Sequence, residues 1–105
     1  MQPTEAQQRQ DEVQLHDVRE PEEWSAGHIA GAVHIPMGEL ASRQAELASD
    51  RTIVAVCRSG NRSGQVTAAL QRAGFDAQNL DGGMQAWAAA GLPYVAEGDG
   101  PPRVA

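Results

Sequence analysis

The residues with the clearest chemical potential follow directly on an apolar, β-branched run. The segment Thr52 to Val56 leads into Cys57, the only cysteine of the chain, and a polar loop with two arginines comes next. Cysteine reacts as the thiolate, and nearby N–H groups or positive charges favour that form. The stretch therefore predicts a reactive thiol that faces an anion. The loop residues expected to bind that anion are Arg58, Ser59, Gly60, Asn61, Arg62 and Ser63.

The elements on either side of this loop would surround Cys57 with donors. Backbone N–H groups of a turn and of a first helical turn can converge on one point, and Arg58 and Arg62 add positive charge. A free thiol is about 3% thiolate at pH 7, and a pKa lowered by about two units would make it about three-quarters thiolate. The alternative is an inert cysteine in the core. The polar residues after Cys57 favour the reactive thiol.

Two elements must hold this loop. The run from Thr52 to Val56 has the composition of a buried strand. After the loop, small and apolar residues recur at helical spacing between Ser63 and Ala73, and Gly74 follows the last of them, where a helix is expected to end. The sequence therefore predicts a strand, a short loop with the nucleophile, and a helix.

The rest of the chain alternates in the same way. Short strands are predicted at residues 13–18, 32–35 and 75–80, and helical segments at residues 2–10, 21–25, 37–48 and 84–90. Such alternation predicts an α/β fold with a parallel sheet and helices on both faces. Ligands bind such sheets outside the carboxyl ends of the strands. Cys57, the Asp17–Arg19 segment and the Asp81–Gly83 turn should all lie at that edge.

Composition limits the function further. The chain of 105 residues carries a formal net charge of -6, and all eight basic residues are arginine. An acidic chain is a poor non-specific partner for nucleic acid or an anionic membrane, so neither is expected as a partner. A single cysteine excludes an internal disulfide, and the three histidines lack metal-ligand spacing; no metal or cofactor is expected. Residues 1–12 have no signal-peptide core, which favours a cytoplasmic protein.

The boundaries of the domain and one unusual strand residue are also predicted. We expect a single domain over residues 1–95 and a flexible tail over residues 96–105, which is rich in Gly and Pro. His16 is a polar residue within the strand predicted at residues 13–18 and suggests that one face of it is partly open to solvent. Arg19 has two open roles, an ion pair with Asp17 or a direct contact with the substrate.

Four segments, which form three signatures, resemble one family. The Cys57–Ser63 loop is similar to the active-site loop of single-domain rhodaneses, a family of sulfurtransferases. The segments Asp17–Trp24 and Gly27–Ala32 are similar to the first signature of that family, and Leu80–Trp87 is similar to its last one. The similarity extends from about residue 13 to residue 93, and several motifs in order are more specific than one loop.

This resemblance implies a three-layer rhodanese-like fold with a parallel central sheet of four to five strands. It implies that Cys57 takes sulfur from a small anionic donor such as thiosulfate, forms a persulfide, and passes the sulfur to cyanide, a thiol or a protein acceptor. Relatives usually carry a first edge strand before residue 2, for which this chain has no apolar residues. They also usually carry an aliphatic residue in place of His16.

Two alternatives remain at this level. A phosphatase or arsenate reductase also uses a loop from Cys to Arg, and the phosphatases have one more residue between those two positions. The six-residue loop from Cys57 to Arg62 should leave room for one additional sulfur atom rather than a phosphoryl group. The second alternative is a rhodanese-like module without turnover that carries sulfur or binds a partner.

Overall fold

The structure, a computed structural model, describes all 105 residues and has four short strands. They are β1 (Gln14–Asp17), β2 (Val33–His34), β3 (Ile53–Val56) and β4 (Ala77–Asn79). All strand pairs are parallel, and the order across the sheet is β2-β1-β3-β4. The predicted parallel sheet is therefore confirmed, with four strands, the lower of the two expected numbers.

Five α-helices connect and cover these strands. Residues 1–2 form no strand; Met1 lies beside β4, where its nitrogen donates to the carbonyl of Asn79 (2.7 Å) and its carbonyl accepts from the N–H of Asp81 (2.9 Å). None of the helices is long and apolar enough to cross a membrane. The helices are α1 (Pro3–Gln8), α2 (Pro21–Ala26), α3 (Leu40–Arg43), α4 (Asn61–Arg72) and α5 (Gly83–Ala89), with 3₁₀ turns at Met37–Glu39 and Gln44–Glu46.

Strand β3 lies inside the sheet, and helices pack against both of its faces, which gives the domain three layers. Its four residues are fully buried, and it pairs with β1 on one side and β4 on the other. Because successive strand side chains point to opposite faces, β3 contributes to two separate clusters. One contains Val54 and Val56 with Ala6, Met84 and Trp87 of α1 and α5. The other contains Ile53, Ala55, Cys57, Val66 and Leu70, the last two from α4.

Helix α4 begins two residues earlier than the apolar spacing suggests, at Asn61 instead of Ser63. Gly60 precedes it with φ of 107°, a left-handed backbone conformation that favours glycine. The apolar pattern could not locate this start, because the first turn of the helix is polar and lies at the sheet edge. The loop between β3 and α4 is therefore very tight.

The prediction for His16 is wrong. Its side chain has 0% exposure, and Nε2 donates to the carbonyl of Ile35 at 3.0 Å, while Nδ1 has no partner. Burial lowers the pKa of His16, and its hydrogen bond to Ile35 and the nearby Asp17 oppose this. This face of the strand is thus buried. A neutral histidine occupies the position where relatives usually carry an aliphatic residue.

The segment at residues 96–105, predicted to be a flexible tail, follows the surface of the domain. The N–H of Glu97 donates to Ser25, the N–H of Arg103 donates to Ala26, and Val104 packs against the core. Just before it, Val95 forms an antiparallel bridge with His28. These contacts define where the segment lies; its flexibility and the domain boundary at residue 95 stay predictions.

Candidate active site

The carboxyl ends of three neighbouring strands bring the expected site segments to one edge. Cys57 follows β3 directly, while Asp17 ends β1 and Asn79 ends β4. Since β1, β3 and β4 are parallel neighbours, these three residues lie at the same edge of the sheet. The structure therefore assembles the predicted segments around Cys57.

The sulfur of Cys57 accepts hydrogen bonds from its own loop. The N–H of Gly60 lies 3.0 Å from Sγ, and the Ser63 hydroxyl lies 3.2 Å from it. Burial alone would raise the pKa of the thiol, but bonds from the Ser63 hydroxyl and from the N–H groups of Ser63, Gly60 and Ser59 outweigh it and lower the pKa. Donors aimed at sulfur distinguish this buried cysteine, 1% exposed, from an inert core thiol.

Helix α5 fixes the carbonyl groups on the other side of the same loop. The N–H of Met84 donates to the carbonyl of Cys57 (2.8 Å), and the N–H of Gln85 donates to that of Arg58 (3.0 Å). Gly83 makes this approach possible: it has φ of 58°, and a Cβ there would lie 2.5 Å from the Cys57 carbonyl oxygen. The Gly82–Gly83 pair, expected only to turn the chain, therefore also docks α5 on the loop.

Asn79 is a site residue that the sequence analysis missed. Its Nδ2 donates to the carbonyl of Gly60 at 3.0 Å, and its Oδ1 accepts from the Ser63 hydroxyl at 2.5 Å. The signal was its position: a polar residue at the carboxyl end of a strand next to β3. Asn79 thus connects the adjacent strand to both ends of the loop.

The two loop arginines do not act on the sulfur in the way expected. Arg62 donates from both terminal nitrogens to the carboxylate of Glu23, at 2.7 and 2.8 Å, so its charge is paired. Arg58 is exposed and its Nε donates to the carbonyl of Ala105 at 3.2 Å. Hydrogen bonds from Ser63, Gly60 and Ser59 are therefore the main cause of the lowered Cys57 pKa, and neither arginine contacts the sulfur.

Arg19 takes the first of its two expected roles. Its side chain has 0% exposure, and Nη2 donates to Asp17 Oδ2 at 2.8 Å and to the carbonyl of Gly27 at 2.7 Å, while Nε also bonds the same carboxylate. A guanidinium enclosed in this way offers no surface to a substrate. The assignment of Arg19 to substrate binding is corrected to a buried ion pair that braces the edge.

The remaining predicted residues lie in the loop with their side chains outward. Ser59 and Asn61 are exposed, so Ser59 serves the sulfur only through its N–H. His28 donates from Nδ1 to the carbonyl of Trp24 (2.8 Å) and stacks on the Trp24 ring with centroids 3.6 Å apart. The ring of His28 is therefore held in place by Trp24.

The largest surface cavity is not at this edge. It has a volume of about 440 Å³, contains no hydrophobic residue, and lies where β1, β3 and β4 begin. Its lining is polar and contains no cysteine. The cavity is lined by Glu12, Ser49, Asp50, Arg51, Thr52 and Asp76.

Comparison with known proteins gives a consistent result. A family model described as a rhodanese-like domain matches residues 2–90. A protein of Allochromatium vinosum named sulfurtransferase is 44% identical over 87 residues, which are 82% of this chain and 81% of that protein. The crystal structure of a rhodanese-related protein from Thermoplasma volcanium superposes with a TM-score of 0.88 at 31% identity, covering 92% of this chain and 97% of that one.

A third relative places a similar segment in a longer protein. An HTH-type transcriptional regulator of Mycobacterium tuberculosis is 49% identical over 84 residues, 78% of this chain. The chain spans only 37% of the length of that regulator. Similar domains therefore occur both as most of a protein and as one part of a larger protein.

Proposed function

The chain belongs to the family of rhodanese-like domains, and from this premise we propose that it is a sulfurtransferase that carries sulfane sulfur on Cys57. The observation that carries the proposal is the hydrogen bonding of Sγ, which accepts from the Gly60 N–H at 3.0 Å and lies 3.2 Å from the Ser63 hydroxyl. Donors so placed support a thiolate in the resting enzyme and an anionic persulfide after transfer.

The first half-reaction uses a small anionic donor such as thiosulfate. The Cys57 thiolate attacks the outer sulfur of the donor, a new S–S bond forms, and the S–S bond of thiosulfate breaks. The electron pair of the broken bond leaves with sulfite, and a Cys57 persulfide remains. The loop N–H groups would stabilise the negative charge on the added sulfur, as an oxyanion hole stabilises oxygen.

The second half-reaction returns the enzyme to its starting state. A nucleophilic acceptor, cyanide in an assay or a small thiol or protein acceptor otherwise, attacks the terminal sulfur. The persulfide S–S bond breaks, and its electron pair returns to the Cys57 thiolate. Two separate transfers through one covalent intermediate predict ping-pong kinetics.

The same geometry argues against phosphoryl chemistry. In a loop that runs from Cys to Arg, the arginine is the group expected to bind a phosphate. Here both terminal nitrogens of Arg62 are bonded to Glu23, and the loop is one residue shorter than in the phosphatases that resemble it. The nearly enclosed Cys57 sulfur, 1% exposed, fits delivery of one atom better than a tetrahedral group.

Intact-mass measurement after treatment with thiosulfate tests the proposal. We expect the mass of one added sulfur atom, its loss on adding cyanide, and no addition in Cys57→Ser. The same preparation should hydrolyse p-nitrophenyl phosphate at a negligible rate. No sulfur addition together with phosphatase turnover would reverse the assignment.

A second candidate is a sulfur-carrying or partner-binding module without turnover of small molecules. It is favoured by the similar segment that forms only part of the longer mycobacterial regulator. In that case the persulfide forms on Cys57, but cyanide or small thiols remove it slowly. The rate of the second half-reaction therefore separates the two candidates.

A further inference from the structure

The hydroxyl group of Ser63 has one proton and two acceptors within reach. Its Oγ lies 3.2 Å from Cys57 Sγ and 2.5 Å from Asn79 Oδ1. The Ser63 side chain is fully buried, so water does not offer a third acceptor. A hydroxyl can donate only one hydrogen bond at a time. The proton of Ser63 must therefore lie either on the sulfur side or on the Asn79 side.

The orientation of the Asn79 amide is set by its second contact. Nδ2 lies 3.0 Å from the carbonyl oxygen of Gly60, which can only accept a hydrogen bond. If the amide were rotated by half a turn, Oδ1 would face that carbonyl oxygen at the same distance, with no proton between the two oxygens. Oδ1 is therefore the atom that faces Ser63, and it is an acceptor.

We propose that Asn79 is a positioning residue for Cys57, because its Oδ1 competes with the sulfur for the single Ser63 proton. When the sulfur is protonated, the thiol donates to Ser63 Oγ and Ser63 donates to Asn79. When the sulfur is a thiolate, the Ser63 proton turns to the sulfur, and the contact with Asn79 Oδ1 is lost. Asn79 thereby favours the protonated form of the sulfur.

This arrangement limits how far the loop activates its nucleophile. The other charged groups at this edge are Arg58, the Arg62–Glu23 pair and the buried Asp17–Arg19 pair. The Met1 ammonium, which pairs with Asp81, donates to the main-chain carbonyl of Asn79, and no charged group contacts the Asn79 side chain. Changing residue 79 leaves these charges in place. The proposal rests on the proposed function only in taking Cys57 Sγ as the atom that reacts.

The test measures the pH dependence of alkylation of the sole cysteine by iodoacetamide. Asn79→Leu removes the competing acceptor in a similar volume, so the apparent thiolate pKa should fall, and alkylation below that pKa should become about two- to tenfold faster, the range for one hydrogen bond. Asn79→Asp puts a stronger, charged acceptor at the same place and should raise the pKa. Because alkylation needs no sulfur donor, this result is independent of whether transfer occurs.

Two controls separate this role from simple support of the loop. In a Ser63→Ala background, Asn79→Leu should no longer lower the pKa, because the shared proton is gone. Gln78→Leu, at an exposed position of the same strand, should change nothing. The proposal is overturned if Leu and Asp at residue 79 shift the pKa in the same direction, if neither shifts it, or if the Asn79→Leu effect persists without the Ser63 hydroxyl.

Discussion

The guanidinium of Arg62 and the carboxylate of Glu23 meet face to face, with two hydrogen bonds of 2.7 and 2.8 Å. The pair joins the first turn of α4 to the first turn of α2. Hydrogen bonds from Arg62 lower the pKa of the Glu23 carboxyl, and the same bonds raise the pKa of Arg62. The charge of Arg62, which we propose meets the anionic donor, is therefore paired with a carboxylate from another of the similar segments.

Glu23→Gln should release this positive charge without disturbing the start of α2. Glutamine can keep the capping contact that Glu23 makes to the N–H of Glu20 at 3.1 Å. We expect a lower KM for thiosulfate, with the gain shrinking at high salt because it is electrostatic. The measurement is the steady-state KM at low and high ionic strength.

Glu22→Gln is the matched control for that variant, since Glu22 is exposed on the same helix turn. Glu23→Gln, which removes the ion pair, should lower the free energy of unfolding by about 1 kcal/mol or less, as for other partly exposed pairs. An unchanged KM in Glu23→Gln, or an equal change in Glu22→Gln, would show that Arg62 does not meet the substrate.

The ionisation of Cys57 should depend on Ser63 more than on its exposed neighbour. The Ser63 hydroxyl is the largest of the contributions that lower the pKa of Cys57. Ser63→Ala should therefore raise the apparent pKa read from alkylation rates. Ser59→Ala keeps the Ser59 N–H and should leave the pKa unchanged. A pKa in the parent protein at or above the free value of about 8.5 would contradict the site geometry.

The same shift links stability to pH. Because the folded pKa of Cys57 lies below the unfolded one, the thiolate adds stability that is fully present above the unfolded pKa. This contribution is lost as the pH falls through the folded pKa. Urea unfolding of the parent protein and of Cys57→Ser across that pH range should therefore differ in slope, with the parent gaining more stability than the variant as the pH rises.

Gly83→Ala should damage both the fold and the loop. The added Cβ would lie 2.5 Å from the carbonyl oxygen of Cys57, and φ of 58° is unfavourable for alanine. We expect a loss of about 1–3 kcal/mol of unfolding free energy, the usual cost of such strain. Sulfur transfer should fall by more than stability explains, since small displacements of reacting groups cost large factors in rate.

Gly38→Ala provides the comparison for this variant. No atom lies within 4 Å of a Cβ at Gly38, and its φ is not in the left-handed region. Its stability should stay within about 0.5 kcal/mol of the parent value. Equal effects of the two substitutions in urea unfolding would remove the role assigned to Gly83.

His16 should make the protein less stable in mild acid. Burial lowers its pKa in the folded state, so below the unfolded pKa of about 6.5 the unfolded chain binds more protons. Stability should therefore decrease as the pH falls through that value, by at most about 1.4 kcal/mol per pH unit for one proton. Urea unfolding at pH 7.5 and 5.5 measures the difference.

His16→Leu should flatten this dependence, because leucine does not titrate and resembles the aliphatic residue expected there. Its stability at pH 7.5 could fall through loss of the bond to Ile35, but the difference between the two pH values should become smaller. The same difference in both proteins would show that His16 is not its source.

Much of the framework could be predicted from local patterns. The buried run before Cys57, the helical spacing after it and the glycines at the turns each reflect neighbouring residues, so the parallel sheet and the position of the nucleophile followed. The start of α4 at Asn61 and the closed face around His16 did not, because a polar first turn and a lone histidine carry no local sign of what packs on them.

What the sequence by itself determined is the nucleophile, the six-residue loop and the edge of the sheet where they lie. Only the tertiary structure decided the partners: Glu23 for Arg62, 39 residues apart, and Asn79 for Ser63, 16 residues apart. The physical reason is that hydrogen bonds between distant segments depend on how strands and helices pack together. Local patterns of residue type and spacing do not reveal that packing.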